Sequence, residues 1–420
     1  MKKLKILIQK QKLKNNKKRR IIKNIEKLPN VFGSFLSLSW QFKCSLKKGG
    51  IYMGNDLIEK KESQKKILSL KRNIFLTGIT SFFTDTSVKM IYSIMPLFLI
   101  SIGATKTELS LIEGIAESTS AFLKAVSGWW SDKIGKNKPF MVIGYAATAI
   151  ITPLYALVIS PIQVLMLRFI ERTGKGVRTA PRDSLIVGSS GAEHTGRGFG
   201  FHKAMDNAGA IIGPLLAFWI LKAYPENYRK VFVLATIPAV FGVFTIIFFI
   251  KEAKKDQKDL PSKISLKELP KRYYVFLLIT IVFTLGNSTD ALLIVKAGDV
   301  GIEVAFIPLV YMLFNAASVV LSVPMGSLSD KVGREKLIIF GYIIYSVVYF
   351  GFARTNKEIV IIMLFLLYGV YSASTDGVQK ALVSDLVDKN IKGTALGLYN
   401  AIMGITLLPA SWIAGRLYDT

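Results

Sequence analysis

From Asn73 onward the chain alternates between long apolar runs and short polar loops. The runs are about twenty residues long, which an α-helix rising 1.5 Å per residue needs to cross a ~30 Å hydrocarbon core. They are too long and too uniformly apolar for barrel strands, which alternate lipid-facing and lumen-facing residues. Only helices and closed barrels satisfy every backbone group in lipid, so the pattern predicts an all-α polytopic membrane protein. Spans are predicted near 73–102, 107–130, 139–160, 162–187, 198–222 and 229–250. Five more follow near 273–297, 303–327, 336–353, 358–386 and 392–416, eleven in all. Between the two sets, residues 251–272 carry eight Lys and Arg, and Pro261 and Pro270 disfavour helix there. The predicted organisation is therefore a basic segment 1–72, a six-helix bundle 73–250, a cytoplasmic linker 251–272 and a five-helix bundle 273–420.

Charge placement sets the orientation. The segment before Asn73, the loops 131–138, 188–197, 329–336 and 387–392, and the central linker hold most of the loop Lys and Arg. Basic loops stay on the cytoplasmic side, so these loops are placed there. Lys222, Arg229, Lys230, Arg354 and Lys357 on the other side weaken the contrast. The net charge of +27 does not point to nucleic acid, because residues 1–52 alone hold fifteen Lys and Arg against Glu26, a net +14, leaving +13 for the rest. Those residues are Lys/Asn/Ile-biased, and their one apolar run, Val31 to Trp40, is too short to span. Lys47-Lys48-Gly49-Gly50 can be encoded by a purine-rich string of the kind that precedes bacterial start codons, two residues before Met53. Translation is accordingly expected to start at Met53, the alternative being a polybasic arm on the anionic inner leaflet. With Cys44 as the single cysteine and His194 and His202 as the only histidines, a disulfide framework, a Cys-rich metal site and a Cys–His nucleophile are all poorly supported.

The two halves repeat. Gly128-Trp-Trp-Ser-Asp132-Lys-Ile-Gly135-Lys136 returns as Gly326-Ser-Leu-Ser-Asp330-Lys-Val-Gly333-Arg334. Arg197-Gly198 and Gly209 through Pro214 return as Lys392-Gly393 and Gly404 through Pro409. Two copies in the same orientation imply two bundles related by an axis along the membrane normal. Glycine at Gly128 and Gly135 permits close helix approach and a tight turn, and Asp132 is well placed against the positive end of a neighbouring helix. These motifs resemble those of the major facilitator superfamily, whose loop signature G-x-L-A-D-R-x-G-R-K is matched twice, with Lys133 and Lys331 at the position of its first arginine. The resemblance covers about 73 to 417. A looser match, Gly209-x-x-x-Gly213-Pro214 in span 5, is similar to the helix-packing motif of drug antiporters, but Ala217 and Phe218 replace its trailing glycines. Arg172-x-x-x-Gly176 in span 4 is similar to the family's arginine motif, with Arg178 where a small residue is usual. The family has six spans in each half, so the chain stops one span short, as a fragment, a frameshifted product or a short variant would.

Charges inside the spans are the candidate chemistry, because each costs roughly 2.5–3.5 kcal/mol at bilayer depth unless it meets a partner or water. In span 4, Arg168, Arg172, Lys175, Arg178 and Arg182 share about a third of the helix circumference over roughly 21 Å. Span 1 carries Asp85 and Lys89 four apart, and span 2 carries Glu113, Glu117 and Lys124 on one stripe; salt bridging is the plain reading of both. Span 7 holds Asn287 and Asp290, and span 10 holds Asp376 at the repeat position of Arg178. The resemblance implies that spans 1, 4, 7 and 10 line a central cavity. That places Asp85, Lys89, Glu171, Arg172, Lys175, Arg178, Asn287, Asp290 and Asp376 as cavity and substrate candidates. Asp376, Glu171 and Asp85 are then the expected counter-charges of Arg172, whereas Arg182, nearer the cytoplasmic end, is expected to tolerate substitution. Gly128, Asp132, Gly135, Lys136, Gly326, Asp330, Gly333 and Arg334 are the expected cytoplasmic gating motifs. Aromatics such as Tyr92, Tyr371 and Tyr399 are expected to be packing or interface anchors rather than substrate platforms.

Together these readings point to a secondary transporter moving a small organic solute or anion by alternating access, proton-coupled, in a bacterial cytoplasmic (inner) membrane. Drug/proton antiport is the alternative within transport; a non-transporting sensor or truncated relic is the alternative outside it. No enzyme is expected, since there is no catalytic constellation, and no cofactor or metal. Gly174-Lys175-Gly176 does not match a phosphate loop. The expected partners are a small-molecule substrate, protons and the lipid bilayer, with no nucleic acid, and the protein is expected to work as a monomer. Eleven spans and a cytoplasmic N-terminal side put Thr420 outside. A reporter fused there should be active only in the periplasm, and activity confined to the cytoplasm would overturn the span count or the orientation.

Overall fold

The computed structural model describes residues 66–67, 70–190, 195–252, 269–287, 289–388 and 391–420. The expected start at Met53, the preceding basic stretch and most of the central linker lie outside the described residues. So do the side chains of Trp129 and Asp132. Apart from a two-residue antiparallel pair, Lys66–Ile67 with Leu70–Lys71, the described fold is helical. Helices occupy all eleven predicted segments, within a few residues except at the ends of spans 2 and 8. Eight of them are long and apolar enough to cross a membrane. The other three are spans 1, 2 and 4, the ones crowded with charge.

Two spans are broken. Span 1 consists of helices Arg72–Tyr92 and Met95–Ser101, with Pro96 opening the second piece. Proline lacks the N–H that a continuing helix needs and is well tolerated in a first turn, so the break falls just before it. Span 7 consists of Lys271–Leu285 and Asp290–Asp299. Its break frees the carbonyl of Gly286, which accepts a 2.8 Å hydrogen bond from the Tyr345 hydroxyl. Thr289 caps the second piece by accepting from the Ala291 N–H. Non-helical backbone at membrane depth is tolerated where protein or a cavity covers it; Ser93 and Ile94 at the first break are fully buried, and Asn287 at the second lines a cavity. The sequence pattern shows these two spans as continuous because the breaking residues are few and the apolar run does not pause.

Packing follows the repeat. In the first half, span 1 lies on spans 5 (Thr195–Ala223) and 6 (Tyr228–Phe249), and span 4 (Pro161–Ser190) lies on spans 2 (Lys106–Ile134) and 3 (Lys138–Leu154). In the second, span 7 lies on span 11 (Lys392–Asp419), and span 10 (Glu358–Asp385) on spans 8 (Ile307–Val332) and 9 (Arg334–Arg354). The halves meet where span 2 crosses span 11 and span 5 crosses span 8, two contacts that the repeat interchanges. Lipid gives no hydrophobic drive between helices, so close crossings need small residues. At the 2–11 crossing, Ala121 sits against Gly404 and Gly114 against Ser411, and the Ser118 hydroxyl donates to the Gly404 carbonyl at 2.5 Å. Gly209 and Gly213 pack instead on span 1 of their own half: a Cβ on Gly213 would lie 2.5 Å from the Thr86 carbonyl oxygen and 3.0 Å from the Lys89 Cβ. Pro214 follows inside the same helix. The repeat therefore diverges in use: its first copy seats one half internally, and its second copy joins the two.

The two ends of the bundle differ. At the basic-loop end, Gly135 closes span 2 in the left-handed conformation (φ 70°) and Gly333 separates spans 8 and 9 at φ 99°, where a side chain would be strained. Gly128 lies 3.2 Å, measured from an added Cβ, from Ala180 of span 4, but Gly326 has open space around it, so the close approach expected of this glycine holds in the first copy only. Lys136 is exposed. Asp330 pairs with Arg334 one turn on at 3.0 Å, and Arg334 also binds Asp385 at the end of span 10. Asp330 thus meets a side-chain cation rather than a helix terminus. At the opposite end the halves are latched. The Asp419 carboxylate accepts from the backbone N–H groups of Lys106 and Thr107 at 3.2 and 2.8 Å, and Lys106 pairs with Asp299 at 3.2 Å. A carboxylate from span 11 thereby caps span 2 of the other half. Asp419→Ala should remove about 1 kcal/mol of capping from the closed end, shifting the population about fivefold toward opening there. Spin-label distances between the adjoining ends of spans 2 and 11 should lengthen; an unchanged distribution would show that the latch carries nothing.

Candidate functional site

Span 4 organises the site, and its cations differ in how completely they are compensated. Arg168 is fully buried. Its Nη2 donates to both oxygens of Glu113 on span 2, at 2.5 and 2.7 Å, and its Nη1 donates to Glu171 at 3.0 Å. The Tyr155 hydroxyl donates to the same Glu171 oxygen at 2.7 Å, and the Tyr92 ring lies 5.5 Å from the guanidinium carbon. Arg172, one turn on, pairs with Glu117 at 2.9 Å. Among the described residues, the next two cations, Lys175 and Arg178, make no ion pair, although the Glu117 charge still acts on Lys175. Lys175 faces the cavity with no ion pair or hydrogen bond among the described residues. Arg178, 5% exposed, rests on the Tyr145 ring at 4.1 Å and donates to the Thr148 hydroxyl at 2.8 Å, but meets no carboxylate. Arg182 turns to its neighbour Asp183 at 2.9 Å.

Two cavities adjoin at Lys203 and Asn207 of span 5. One, of about 400 Å³, is walled by the first half and contains Asp85, Lys89, Glu171, Arg172, Lys175 and Arg178, with Asp290 from span 7. The other, of about 620 Å³, contains Asn287 and Asp376 and runs down to Gly326, Ser329 and Arg334 at the basic-loop end. All nine cavity candidates therefore face one or the other. Their pairing differs from expectation. Lys89 does not pair with Asp85; its Nζ donates to the Tyr311 hydroxyl of span 8 at 3.0 Å, across the halves. Glu113 and Glu117 bridge to span 4 rather than along their own helix, because span 2 lies directly on span 4. Arg172 is held by Glu117 and not by Asp376, whose carboxylate accepts instead from Ser372 at 2.9 Å. Asp290 accepts from the Tyr368 hydroxyl at 2.7 Å. Arg182 lines the cavity beside Lys203 instead of lying clear of it. Tyr92, Tyr371 and Tyr399 also reach a cavity wall, so packing is not their whole role.

Span 5 supplies residues that sequence reading missed. Lys203, Asp206 and Asn207 line the first cavity, and Tyr311 and Asn315 of span 8 complete it. The signal was present: Lys203 and Asp206 are charges inside an apolar run, as were those in spans 1 and 4. The resemblance directed attention to spans 1, 4, 7 and 10 instead.

A family model for the Major Facilitator Superfamily matches residues 77–411. The chain belongs to that superfamily. It is 37% identical over 358 residues to an uncharacterized MFS-type transporter of Methanocaldococcus jannaschii, covering 83% of this chain and 89% of the relative. At 23% identity over 335 residues it resembles the multi-drug resistance efflux pump PmrA of Streptococcus pneumoniae, covering 77% of this chain and 83% of that one. Among solved structures the fold is shared with the nucleoside transporter NupG (TM-score 0.66, 11% identity, 82% and 91% coverage). It is shared too with an inward-facing bacterial homolog of the lysosomal transporter Spinster (TM-score 0.63, 14% identity, 80% of each chain). The protein is thus a multi-pass secondary transporter of the MFS type.

Within this MFS bundle, Glu113 and Asp376 are acids of opposite standing. Glu113→Ala strands Arg168 beside one remaining carboxylate and should cost about 3–5 kcal/mol. Asp376→Ala removes a carboxylate that holds no ion pair and should cost less than about 1 kcal/mol. Thermal unfolding of the purified variants checks the order; equal losses would show that the buried cluster does not support the bundle.

Proposed function

We propose that this MFS protein carries a small organic anion by alternating access in the cytoplasmic membrane of a prokaryote, with transport coupled to protons. One observation supports the anion most: Lys175 and Arg178 stand in the cavity wall without an ion pair, directly below two arginines that are each paired with carboxylate. A cation held in a membrane protein without a counter-charge invites an anionic ligand, since an ion pair made there restores the neutrality that burial demands. The second half offers a different wall, with Asn287, Tyr371 and Asp376, suited to the neutral part of such a solute. Alternating access is supported by a cavity that reaches one end of the bundle while the Asp419 latch closes the other. Carboxylates in the same cavity supply groups able to take up and release a proton.

A second reading, export of drug-like amphiphiles, draws on the likeness to a multidrug efflux pump and on the aromatic wall of the second half. One experiment separates the two. Uptake and efflux of a panel of organic anions and cationic dyes are compared between cells lacking the protein and cells overproducing it. The expected outcome is selective movement of anions, reduced at least about tenfold by Lys175→Ala or Arg178→Ala, the equivalent of one lost charge contact. Movement of cationic dyes with both variants fully active would favour drug export and remove the anion reading.

A further inference from the structure

A second polar constellation lies beside the anion-facing cations and is not needed to hold an anion. On span 5, His202 is 3% exposed. Its Nε2 lies 2.7 Å from the Ser81 hydroxyl of span 1, and Ser81 lies 3.3 Å from the Tyr145 hydroxyl of span 3. The other ring nitrogen, Nδ1, faces Asp206 one turn along at 3.5 Å. Asp206 lines the first cavity, yet its Oδ1 is buried with no hydrogen-bond partner. The charges that act on Asp206 are Asp85 of span 1, Arg182 of span 4 and Lys203 of its own helix, and Arg182 spends its hydrogen bonds on Asp183. Span 8 faces the same cavity with Tyr311 and Asn315, neither a counter-charge.

A carboxylate oxygen buried without a donor is poorly stabilised as an anion, and the nearby Asp85 carboxylate makes a second negative charge less favourable still. A proton on Asp206 relieves both. One arrangement of donors fits the chain behind it: Tyr145 donates to Ser81, Ser81 donates to Nε2 of a neutral His202, and Nδ1 then carries the ring proton, 3.5 Å from the Asp206 carboxylate. Tyr145 is also the ring on which Arg178 rests, at 4.1 Å. One side chain thereby touches both the cation facing the anion site and the first link of the chain.

We propose that Asp206, oriented by His202 and Ser81, is the proton-binding site of this carrier, and that Tyr145 couples it to the anion site at Arg178. The proposal rests on the proton-coupled reading above and assigns it a place. An O–H bond forms on Asp206 with a proton from cavity water, and the same bond breaks when the cavity faces the other side. His202 and Ser81 are positioning residues, and no net proton passes through them.

Only two histidines occur in the chain, so His194→Gln leaves His202 as the sole imidazole signal in ¹⁵N-histidine-labelled, full-length protein. The expected spectrum is a neutral ring protonated on Nδ1 that shifts in a single step with pH, as Asp206 takes up its proton. That step should vanish in Asp206→Asn, and the tautomer should become mixed in Ser81→Ala. A ring insensitive to pH, or a step that survives Asp206→Asn, would overturn the assignment. No substrate is needed for this titration, so it stands or falls apart from the anion reading. With a transported anion from the panel above, Asp206→Asn in proteoliposomes should lose accumulation driven by a pH gradient while anion exchange continues. Persisting accumulation, or equal loss of exchange in a folded variant, would place Asp206 outside the coupling step.

Discussion

The buried guanidinium of Arg168 is the constraint on which the first half of this molecule is built. A charge held away from water in a bilayer is tolerated only when carboxylates and hydrogen bonds replace its hydration. Glu113 supplies two oxygens and Glu171 a third, while Tyr155 takes up part of the remaining acceptor capacity of Glu171. Those four residues come from spans 2, 4 and the turn that ends span 3, so neutralising one charge fixes three helices against one another. Span 4 becomes a rigid post. Its lower cations are then presented to the cavity from a support that cannot swing toward the nearest acid.

That support explains why neighbouring residues on one helical stripe behave so differently. Arg168 and Arg172 face span 2 at the level of Glu113 and Glu117, and are satisfied there. Lys175 and Arg178 sit lower. Gly176 approaches span 2 closely, 2.7 Å from the Leu123 side chain when given a Cβ, and no acid of span 2 stands at that level. The mismatch is therefore a property of helix registry, and it falls where the cavity lies.

The joint between the halves is of another kind. Small residues at the 2–11 crossing let two helices touch over a smooth surface, with few polar ties to break when they rock. Lys89 to Tyr311 is one tie at cavity depth, and Asp419 on the start of span 2 is another at the closed end. Both pair charge with a neutral or dipolar partner, and the Lys106–Asp299 ion pair beside the latch is solvent-exposed, so these ties are weaker than the buried ion pairs inside the first half. The strong electrostatics lie within a half and the weak electrostatics between the halves, as rigid-body motion requires.

Much of this was legible in the order of residues. Helix positions follow from runs of apolar length, which depend only on the bilayer's thickness and the rise per residue. The duplicated Gly-x-x-x-Asp loops at Gly128 and Gly326 carry the two-fold organisation, and the charges interrupting spans 1, 4, 7 and 10 mark residues that line cavities. Two kinds of information were absent from the sequence. The break in span 7 depends on Tyr345 donating to the freed Gly286 carbonyl, and that partner is distant in the chain. Partner choice among charges depends on the height and rotation of one helix against another. A helical wheel gives the face of Arg172, but not whether Glu117 or Asp376 stands opposite. For the same reason Asp206 and His202 gain their meaning only when span 5 is laid on span 1, with Ser81 at one ring nitrogen and a carboxylate at the other.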